Sequence, residues 1–424
     1  MLNGLFYIEF TEEFPLNLHH LQVYFPNQNE TAPQILAQLQ QDCPFETVLI
    51  IYNNSGVSTS QFIFIQSSEL TAWLLHKNPL LNFCHLLAKN MELKQLSPFQ
   101  NYGTVHLHNV FLTRQSILKT ILANPMQNYA LIGGRQLGKT SILKFLLNYY
   151  QNKSLECHYL IVRDNSLLQL LKSILKSKKK QLILLDEADD FIAHDRAKGY
   201  PILQHLQHLH LNGKISIIFA GHYELLTEWH SNSPYRDFAE AILVETFNIN
   251  TCQSFIENSL QYLNCRFIEQ ESLTQFIKML GGRPNLIITA CQDLLSLEKQ
   301  QVEKNDVEKV LNGLKPNLLA QVGLSSGEAE QILEKILILT ALFTQQSYFS
   351  QQDMCRILEN FGFSLSDSLI QSTIQRLSLA GIFRLEKATY VLTIPLLRQV
   401  FLQDSIGLLL AQNITQYKAW RRMS

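Results

Sequence analysis

The sequence predicts an α/β protein built around a parallel β-sheet. Three short apolar runs, at 129–132, 181–185 and 215–220, are bounded by polar or glycine-rich residues and separated by helical patterns. This alternation is typical of a parallel sheet, because parallel strands need crossover connections. We therefore expect the three runs to lie in one sheet, with their carboxyl ends at the same edge.

The run 129–132 leads into a glycine-rich turn and then into a helix. Gly133 and Gly138 bracket four residues before Lys139 and Thr140, which is the phosphate-binding P-loop pattern. Glycines let several backbone N–H groups converge on one anion, and a helix N-terminus adds donors and a positive dipole end. Lys139 is expected to reach the β- and γ-phosphates, and Thr140 to offer its hydroxyl to Mg²⁺. The alternative is a chance glycine-rich turn between a strand and a helix. The predicted nucleotide-binding residues of the loop are Gly133, Gly134, Arg135, Gln136, Leu137, Gly138, Lys139, Thr140 and Ser141.

The run 181–185 ends in Asp186 and Glu187. An apolar strand that delivers two carboxylates at its C-terminal edge, downstream of a P-loop, is the Walker B arrangement. Asp186 is expected to hold the Mg²⁺ shell through its water molecules. Glu187 is the predicted catalytic residue, which polarises the attacking water as general base.

Composition and charge exclude several classes of protein. The 424 residues carry a net charge of −1, which gives no global electrostatic reason to expect nucleic acid or an acidic membrane as partner. Seven cysteines occur without a CxxC pair, which predicts reduced thiols and a cytoplasmic location. The first residues, MLNGLFYIEFTEEF, carry acids where a signal peptide carries bases. The apolar segment 332–343 is too short to span a bilayer, so we expect no membrane partner.

With these motifs in this order, the chain resembles AAA+ and STAND-type ATPases, and more closely the compact AAA-like ATPases of bacteria and archaea. The pattern appears as LIGGRQLGKTSIL, LLDEADDFIAHDRAKGYPIL, IIFAGHYELLTEW, SPYRDFAE and GGRPNLIITACQDLL, and the resemblance covers residues 97–410. It implies a P-loop NTPase core of the additional-strand type, a helical lid and a C-terminal winged helix, with ATP and Mg²⁺ as cofactors.

The resemblance also implies roles for residues outside the two main motifs. His222, which follows the run 215–220, stands where additional-strand ATPases place a sensor of the γ-phosphate; the alternative is an ordinary histidine at a strand end. Arg114 fits a Gly-Arg-Glu motif that lines the adenine pocket, although Thr113 and Gln115 replace the Gly and Glu.

Three further residues follow from the same resemblance. Pro284 matches the lid motif that packs on the nucleotide, and Arg283 beside it is a candidate phosphate sensor. Arg236 is a candidate arginine finger, acting in its own subunit or in a neighbouring one of a homo-oligomer. The alternative for each arginine is a structural or surface salt bridge.

We predict five segments. Strand patterns at 45–52 and 61–65 and helical patterns at 68–76 and 79–94 indicate a small N-terminal α/β domain whose role the sequence does not indicate. This domain is predicted at 1–100. The following segments are the ATPase core at 101–247, the helical lid at 248–315, the winged-helix domain at 325–412 and a basic C-terminal tail at 413–424.

Winged helices often place their last helix in the major groove of DNA. Here that helix, predicted at 367–379, offers several polar side chains but one base, Arg376, whereas phosphate neutralisation needs several. We therefore expect an ATP-driven switch that hydrolyses ATP slowly and acts through a protein partner in signalling, stress or defence. The alternative is a DNA-binding ATPase resembling replication initiators or transposition regulators.

Overall fold

The computed structural model describes two compact units. One comprises Met1–Asn109, Gln253–Leu273 and Ile288–Val310, and the other comprises Val110–Cys252, Thr274–Ile287 and Leu311–Ser424. The residues described are all except 1–3, 12, 28, 45, 55, 100–106, 152, 154, 162–178, 232, 325–326, 402–404 and 424, and except the side chains of 107–112 and 423.

The first unit begins with a four-stranded sheet in the order β1-β2-β3-β4. β1 runs antiparallel to β2, and the remaining pairs are parallel. One face of the sheet packs against the first helix, with Tyr24, Val48 and Ile50 meeting Ile35 and Leu39. The elements are β1 (Leu5–Glu9), β2 (His20–Tyr24), α1 (Ala32–Asp42), β3 (Val48–Tyr52), β4 (Phe62–Gln66), α2 (Ser67–Leu74) and α3 (Pro79–Asn90).

The predicted α/β character of the N-terminal segment is confirmed. The strand patterns at 45–52 and 61–65 correspond to β3 and β4, and the two helical patterns correspond to α2 and α3. β1 and β2 are additional strands that the sequence pattern does not indicate. In β1 the consecutive residues Phe6, Tyr7 and Ile8 are all exposed, so the strand lacks the alternation of apolar and polar side chains by which strands are recognised.

The second unit contains a five-stranded sheet in the order β6-β7-β8-β5-β9, and all its pairs are parallel. Every residue of β5, β7 and β8 is buried, which accounts for their continuous apolar runs. β8 lies between β5, which leads into the P-loop, and β7, which ends at Asp186. The predicted additional strand is therefore present. The strands are β5 (Tyr129–Ile132), β6 (Glu156–Ile161), β7 (Gln181–Asp186), β8 (Ile215–Gly221) and β9 (Glu240–Leu243).

Helices flank this sheet. Ala130, Ile183 and Ile217 from the sheet pack against Leu203 and Leu206 in one buried cluster. The helices are α4 (Leu107–Ala123), α5 (Lys139–Tyr150), α6 (Asp189–Ala197), α7 (Pro201–Leu211), α8 (Tyr223–His230) and α9 (Pro234–Phe238).

The segment predicted as the lid is helical, as expected. Two short strands, β10 (Arg266–Phe267) and β11 (Gln301–Val302), pair in parallel within the first unit. The helices are α10 (Ile249–Gln261), α11 (Gln270–Leu280), α12 (Pro284–Leu295) and α13 (Lys304–Leu314), followed by a 3₁₀ turn (Lys315–Asn317) and α14 (Leu318–Gln321).

In the segment predicted as a winged helix, the described residues form three helices followed by a β-hairpin. The hairpin joins a short strand in an antiparallel sheet of order β12-β14-β13. Residues 413–423 of the predicted basic tail belong to the final helix. No helix among the described residues is long and apolar enough to cross a membrane. The elements are α15 (Ala329–Phe343), β12 (Tyr348–Phe349), α16 (Gln351–Asn360), α17 (Asp367–Leu379), β13 (Phe383–Glu386), β14 (Thr389–Leu392), α18 (Pro395–Phe401) and α19 (Ile406–Met423).

Candidate nucleotide-binding site

The predicted P-loop connects β5 to α5. At its start the N–H of Gly133 donates to Gly221 O at the end of β8 (3.2 Å). At its end Gly138 precedes α5 with a φ of 95°, a left-handed conformation that glycine adopts without steric cost. α5 begins at Lys139, so the free N–H groups of its first turn and its positive dipole end lie at the loop.

Lys139 is held within the loop that precedes it. Its Nζ donates to Gly133 O and Gly134 O, both at 2.8 Å, and lies 3.2 Å from His222 Nδ1. The side chain is buried, and this burial lowers the pKa of Lys139 to about 8. A charge held in this way is poised for an anion, because a phosphate would replace the lost hydration.

The Walker B carboxylate meets the first turn of α5. Thr140 Oγ1 donates to Asp186 Oδ2 at 2.7 Å, and the hydroxyl of Tyr159 in β6 donates to the same oxygen at 2.8 Å. Burial is the largest cause that raises the pKa of Tyr159, so its hydroxyl acts as a donor. The structure therefore brings the two predicted magnesium-binding residues, Thr140 and Asp186, together.

The chemistry of these two residues fits Mg²⁺. A hydroxyl can ligate this cation directly, and a carboxylate can accept hydrogen bonds from the water molecules that Mg²⁺ usually keeps, so both supply the hard oxygen atoms that suit it. No group of three or more His, Cys, Asp or Glu side chains within the described part of the chain is placed to hold a metal by itself.

Glu187 follows β7 with a φ of 53°. A residue other than glycine in this left-handed region is uncommon and is often found at functional sites. Its N–H donates to Asp186 Oδ1 at 3.0 Å, and the residue is exposed, so its carboxylate is accessible to solvent at the end of the Walker B strand.

His222 lies where β8 ends, next to Lys139. The ring Nδ1 of His222 is 2.9 Å from Gly133 O. The backbone N–H of His222 donates to both carboxylate oxygens of Asp189, at 2.9 and 2.7 Å. Burial, followed by the charge of Lys139, lowers the pKa of His222 to about 3, so the ring is neutral. The predicted sensor therefore contacts the P-loop lysine directly.

Arg114 is buried against the other side of the loop. Its Nη2 donates to Leu137 O at 2.6 Å and to Glu245 O at 2.9 Å, and its guanidinium lies over the ring of Phe247 (4.5 Å). α4 departs from helical geometry at Arg114, with φ −123° and ψ 23°. Burial lowers the pKa of Arg114 to about 10. The residue therefore clamps the P-loop to the segment that follows β9.

The lid motif reaches the P-loop through Arg283. Its side chain is fully buried, and burial lowers its pKa to about 10. One guanidinium nitrogen donates to Arg135 O in the P-loop at 3.0 Å, and the other donates to Ala380 O just after α17. Pro284 is buried at the start of α12, and Asn285 donates to Gln136 Oε1 at 2.8 Å.

The end of α17 sits directly on the P-loop. The N–H of Gly134 donates to Leu379 O at 2.9 Å. A Cβ added to Gly134 would lie 2.3 Å from Ala380 Cα, so this close approach requires glycine. The segment predicted as a winged helix and the phosphate loop are therefore in backbone contact.

Two arginines are placed differently from the others. Arg236 is exposed in α9, and none of the described hydrogen bonds or ion pairs joins it to the P-loop. Arg376 of α17 has a side chain that is 15% exposed, pairs with Glu330 at 2.5 Å and lies over the ring of Tyr223 (5.0 Å). The single basic side chain of α17 is therefore occupied by contacts with other residues of the same chain.

A cleft of about 1280 Å³ opens beside the site. Its lining includes the segment after β9, the end of α11 and the β13–β14 hairpin. Ile132 is the residue of β5 that contributes to this lining. Residues 133–141 do not line it. The cleft is therefore distinct from the phosphate-binding loop.

Several residues of the site carry no signal in the sequence. Tyr159 and Leu379 belong to elements whose neighbours are known only once the sheet order and the position of α17 are known. Asp189 stands in the predicted Walker B sequence, yet its function as acceptor for the N–H groups of His222, Glu224 and Leu225 depends on the start of α8.

No protein-family model and no curated protein matches this sequence. Similar solved structures include a Walker-type ATPase of Pyrococcus abyssi, with 16% identity, 68% of this chain and 94% of that chain covered, and a TM-score of 0.46. The ORC1 protein of Aeropyrum pernix, solved in complex with DNA, has 12% identity, coverage of 72% and 96%, and a TM-score of 0.42. A RuvB variant of Thermotoga maritima has 14% identity, coverage of 67% and 91%, and a TM-score of 0.38.

The fold follows from the strand order of the five-stranded sheet and from the positions of the two motifs in it. The P-loop follows β5, the Walker B acids follow β7, and β8 lies between these strands. The chain accordingly has the fold of a P-loop ATPase of the AAA+ kind.

Proposed function

We propose that this chain is a STAND-type molecular switch that binds and slowly hydrolyses ATP. Binding of Mg-ATP would move the lid and the winged helix, and the moved state would act on a protein partner in signalling, stress or defence. Arg283 is the observation that carries this proposal, since one buried guanidinium joins a P-loop carbonyl to a carbonyl at the end of α17.

The charges around the loop support phosphate binding. Lys139 and Arg283 are both buried, and the described hydrogen bonds of Arg283 go to backbone carbonyls rather than to a carboxylate. A buried cation without an anionic partner is unfavourable. A triphosphate would supply the missing negative charge.

The residues of the site have distinct functions in the proposed reaction. Thr140 and Asp186 would hold Mg²⁺, which when bound would supply positive charge beside the phosphates. Glu187 accepts a proton from the attacking water as general base. His222 stays neutral and donates or accepts a hydrogen bond near the γ-phosphate, and Arg236 acts only if a neighbouring subunit of a homo-oligomer delivers it.

Coupling would use the contact between α17 and the P-loop. A nucleotide that moves Arg135 would move the carbonyl that accepts from Arg283. A nucleotide that moves Gly134 would move the N–H that donates to Leu379 O. Such a ligand shifts the equilibrium only by the difference in its affinity for the two arrangements. We therefore expect ATP and ADP to favour different positions of α17.

Hydrogen exchange tests this coupling. The amides of α17 (Asp367–Leu379) and those of Gly281, Gly282, Arg283 and Asn285 in the lid motif should exchange at different rates with ATP, with ADP and without nucleotide. The Glu187→Gln variant keeps ATP intact for this measurement. Exchange that is equal in all three states, while the protein binds nucleotide, would contradict the proposed switch.

Gly134→Ala should loosen the winged helix. The new Cβ would lie 2.3 Å from Ala380 Cα, so the end of α17 must move away. We expect the free energy of unfolding to fall by about 1–3 kcal/mol and bound ADP to dissociate faster. Gly313→Ala is the control, because a Cβ there meets nothing within 4 Å. Equal behaviour of the two variants would mean that the contact does not restrain the nucleotide.

The DNA-binding alternative requires α17 to leave its present position. Its one base, Arg376, pairs with Glu330 and stacks on Tyr223, so few cations remain for phosphate contacts. We expect no shift of duplex DNA at low salt in a gel, with or without ATP. A shift that weakens steeply as salt increases would favour the alternative.

A further inference from the structure

Tyr159 lies in β6, a strand that carries neither the P-loop nor the Walker B acids. β6 pairs with β7 so that Ile161 is beside Asp186 and Tyr159 is beside Leu184. Residues two apart on a strand share one face of the sheet. Tyr159 and Asp186 therefore occupy diagonal positions on one face, a separation that long side chains reach across.

Three donors hold the Asp186 carboxylate. Thr140 and Tyr159 donate hydroxyl hydrogens to Oδ2 at 2.7 and 2.8 Å, and the N–H of Glu187 donates to Oδ1 at 3.0 Å. A carboxylate has about four lone-pair sites, so one remains for a water molecule of the Mg²⁺ shell. Because Thr140 would also ligate the metal, Tyr159 is the side chain of this set that acts on Asp186 alone.

We propose that Tyr159 is a positioning residue for Mg²⁺, whose hydroxyl fixes the Asp186 carboxylate in the orientation that receives the magnesium shell. This inference rests on the proposed nucleotide site. Tyr159 touches neither the nucleotide nor the metal and acts through Asp186. Removing a hydrogen-bonding partner of a metal-site residue typically weakens metal affinity about 10–100-fold.

Tyr159→Phe tests the inference, because it removes the hydroxyl and keeps the ring. ADP affinity is measured by calorimetry over a series of free Mg²⁺ concentrations and in EDTA. Mg²⁺ is expected to strengthen ADP binding, and the free Mg²⁺ concentration at which half of this strengthening is reached should rise about tenfold in the variant. The ADP affinity in EDTA should stay unchanged. Tyr24→Phe is the matched control, because the Tyr24 hydroxyl also donates to a carboxylate, that of Glu30 (3.0 Å).

Each other outcome overturns the inference. An unchanged or tighter Mg²⁺ requirement would show that the hydroxyl does not position the carboxylate. Loss of ADP affinity in EDTA, or an unfolding temperature below that of Tyr24→Phe, would show a purely structural role. If the wild-type protein fails to bind ADP at all, the proposed nucleotide site itself is wrong, which is a different result.

A second variant pair tests the route through Asp186. In an Asp186→Ala background the hydroxyl of Tyr159 has no carboxylate to hold. Tyr159→Phe should then leave the remaining Mg²⁺ dependence unchanged, because the two residues act as one unit. A further tenfold shift in this background would contradict the proposed route.

Discussion

Lys139→Ala is expected to abolish ATP and ADP binding. In the structure its ammonium group is buried and held by two loop carbonyls at 2.8 Å, at the point where a β- or γ-phosphate would lie. Truncating one partner of a buried charge pair costs about 3–5 kcal/mol, which corresponds to roughly a hundredfold to several thousandfold in affinity. Calorimetry with each nucleotide in the presence of Mg²⁺ measures the loss.

Lys144→Ala is the matched control for this variant. Lys144 belongs to the same helix, α5, but is exposed, so the two variants remove the same charge from different environments. We expect Lys144→Ala to bind nucleotide as the wild type does. Equal affinity of the Lys139→Ala and Lys144→Ala proteins would mean that the loop does not hold the phosphates through its lysine.

Glu187→Gln is expected to bind ATP with nearly unchanged affinity and to leave it uncleaved. Glutamine has the shape of glutamate but cannot accept the proton of the attacking water. General-base catalysis contributes about 10²–10⁴-fold to a rate, so phosphate release should fall by this factor. Thr140 and Asp186, which would bind the metal, are unchanged in the variant.

Asp190→Asn is the control for Glu187→Gln. Asp190 is an exposed acid in the first turn of α6, close in sequence but outside the Walker B pair. Its loss should leave phosphate release unchanged. Hydrolysis that continues at the wild-type rate in Glu187→Gln would remove Glu187 from the proposed mechanism and leave the binding site untouched.

The trapped protein also offers a search for the partner. A pull-down with Glu187→Gln, with and without ATP, compares the proteins retained by the two states. A partner that depends on the ATP state should be retained in one condition only. Equal retention in both would contradict a nucleotide-controlled interaction.

Local patterns in the sequence predict the centre of the site well. The P-loop requires glycines and a helix start within a few residues, and the Walker B acids require a buried strand that ends at them. Both signals are contained in short segments, so the sequence alone indicates that Lys139 lies at the loop and that Thr140 lies near Asp186, as the structure shows. The helix predicted at 367–379 likewise depends on a local pattern, and it matches the observed bounds of α17, which Ser366 caps at its N-terminus.

Contacts between distant segments are not predictable in the same way. The bond from Gly134 to Leu379 joins residues that no pattern relates, because it depends on how the winged-helix segment docks. Tyr159 reaches Asp186 only through the pairing of β6 with β7. Arg283 stands in a recognisable motif, yet its full burial between two carbonyls depends on the position of α17.

Calorimetric titration of the purified wild-type protein with ATP and ADP, with and without Mg²⁺, tests the phosphate site most directly. The site described here predicts saturable binding of both nucleotides to one site per chain, strengthened by Mg²⁺ and absent in Lys139→Ala. A folded protein that releases or absorbs no heat of binding with either nucleotide, with or without Mg²⁺, would contradict it.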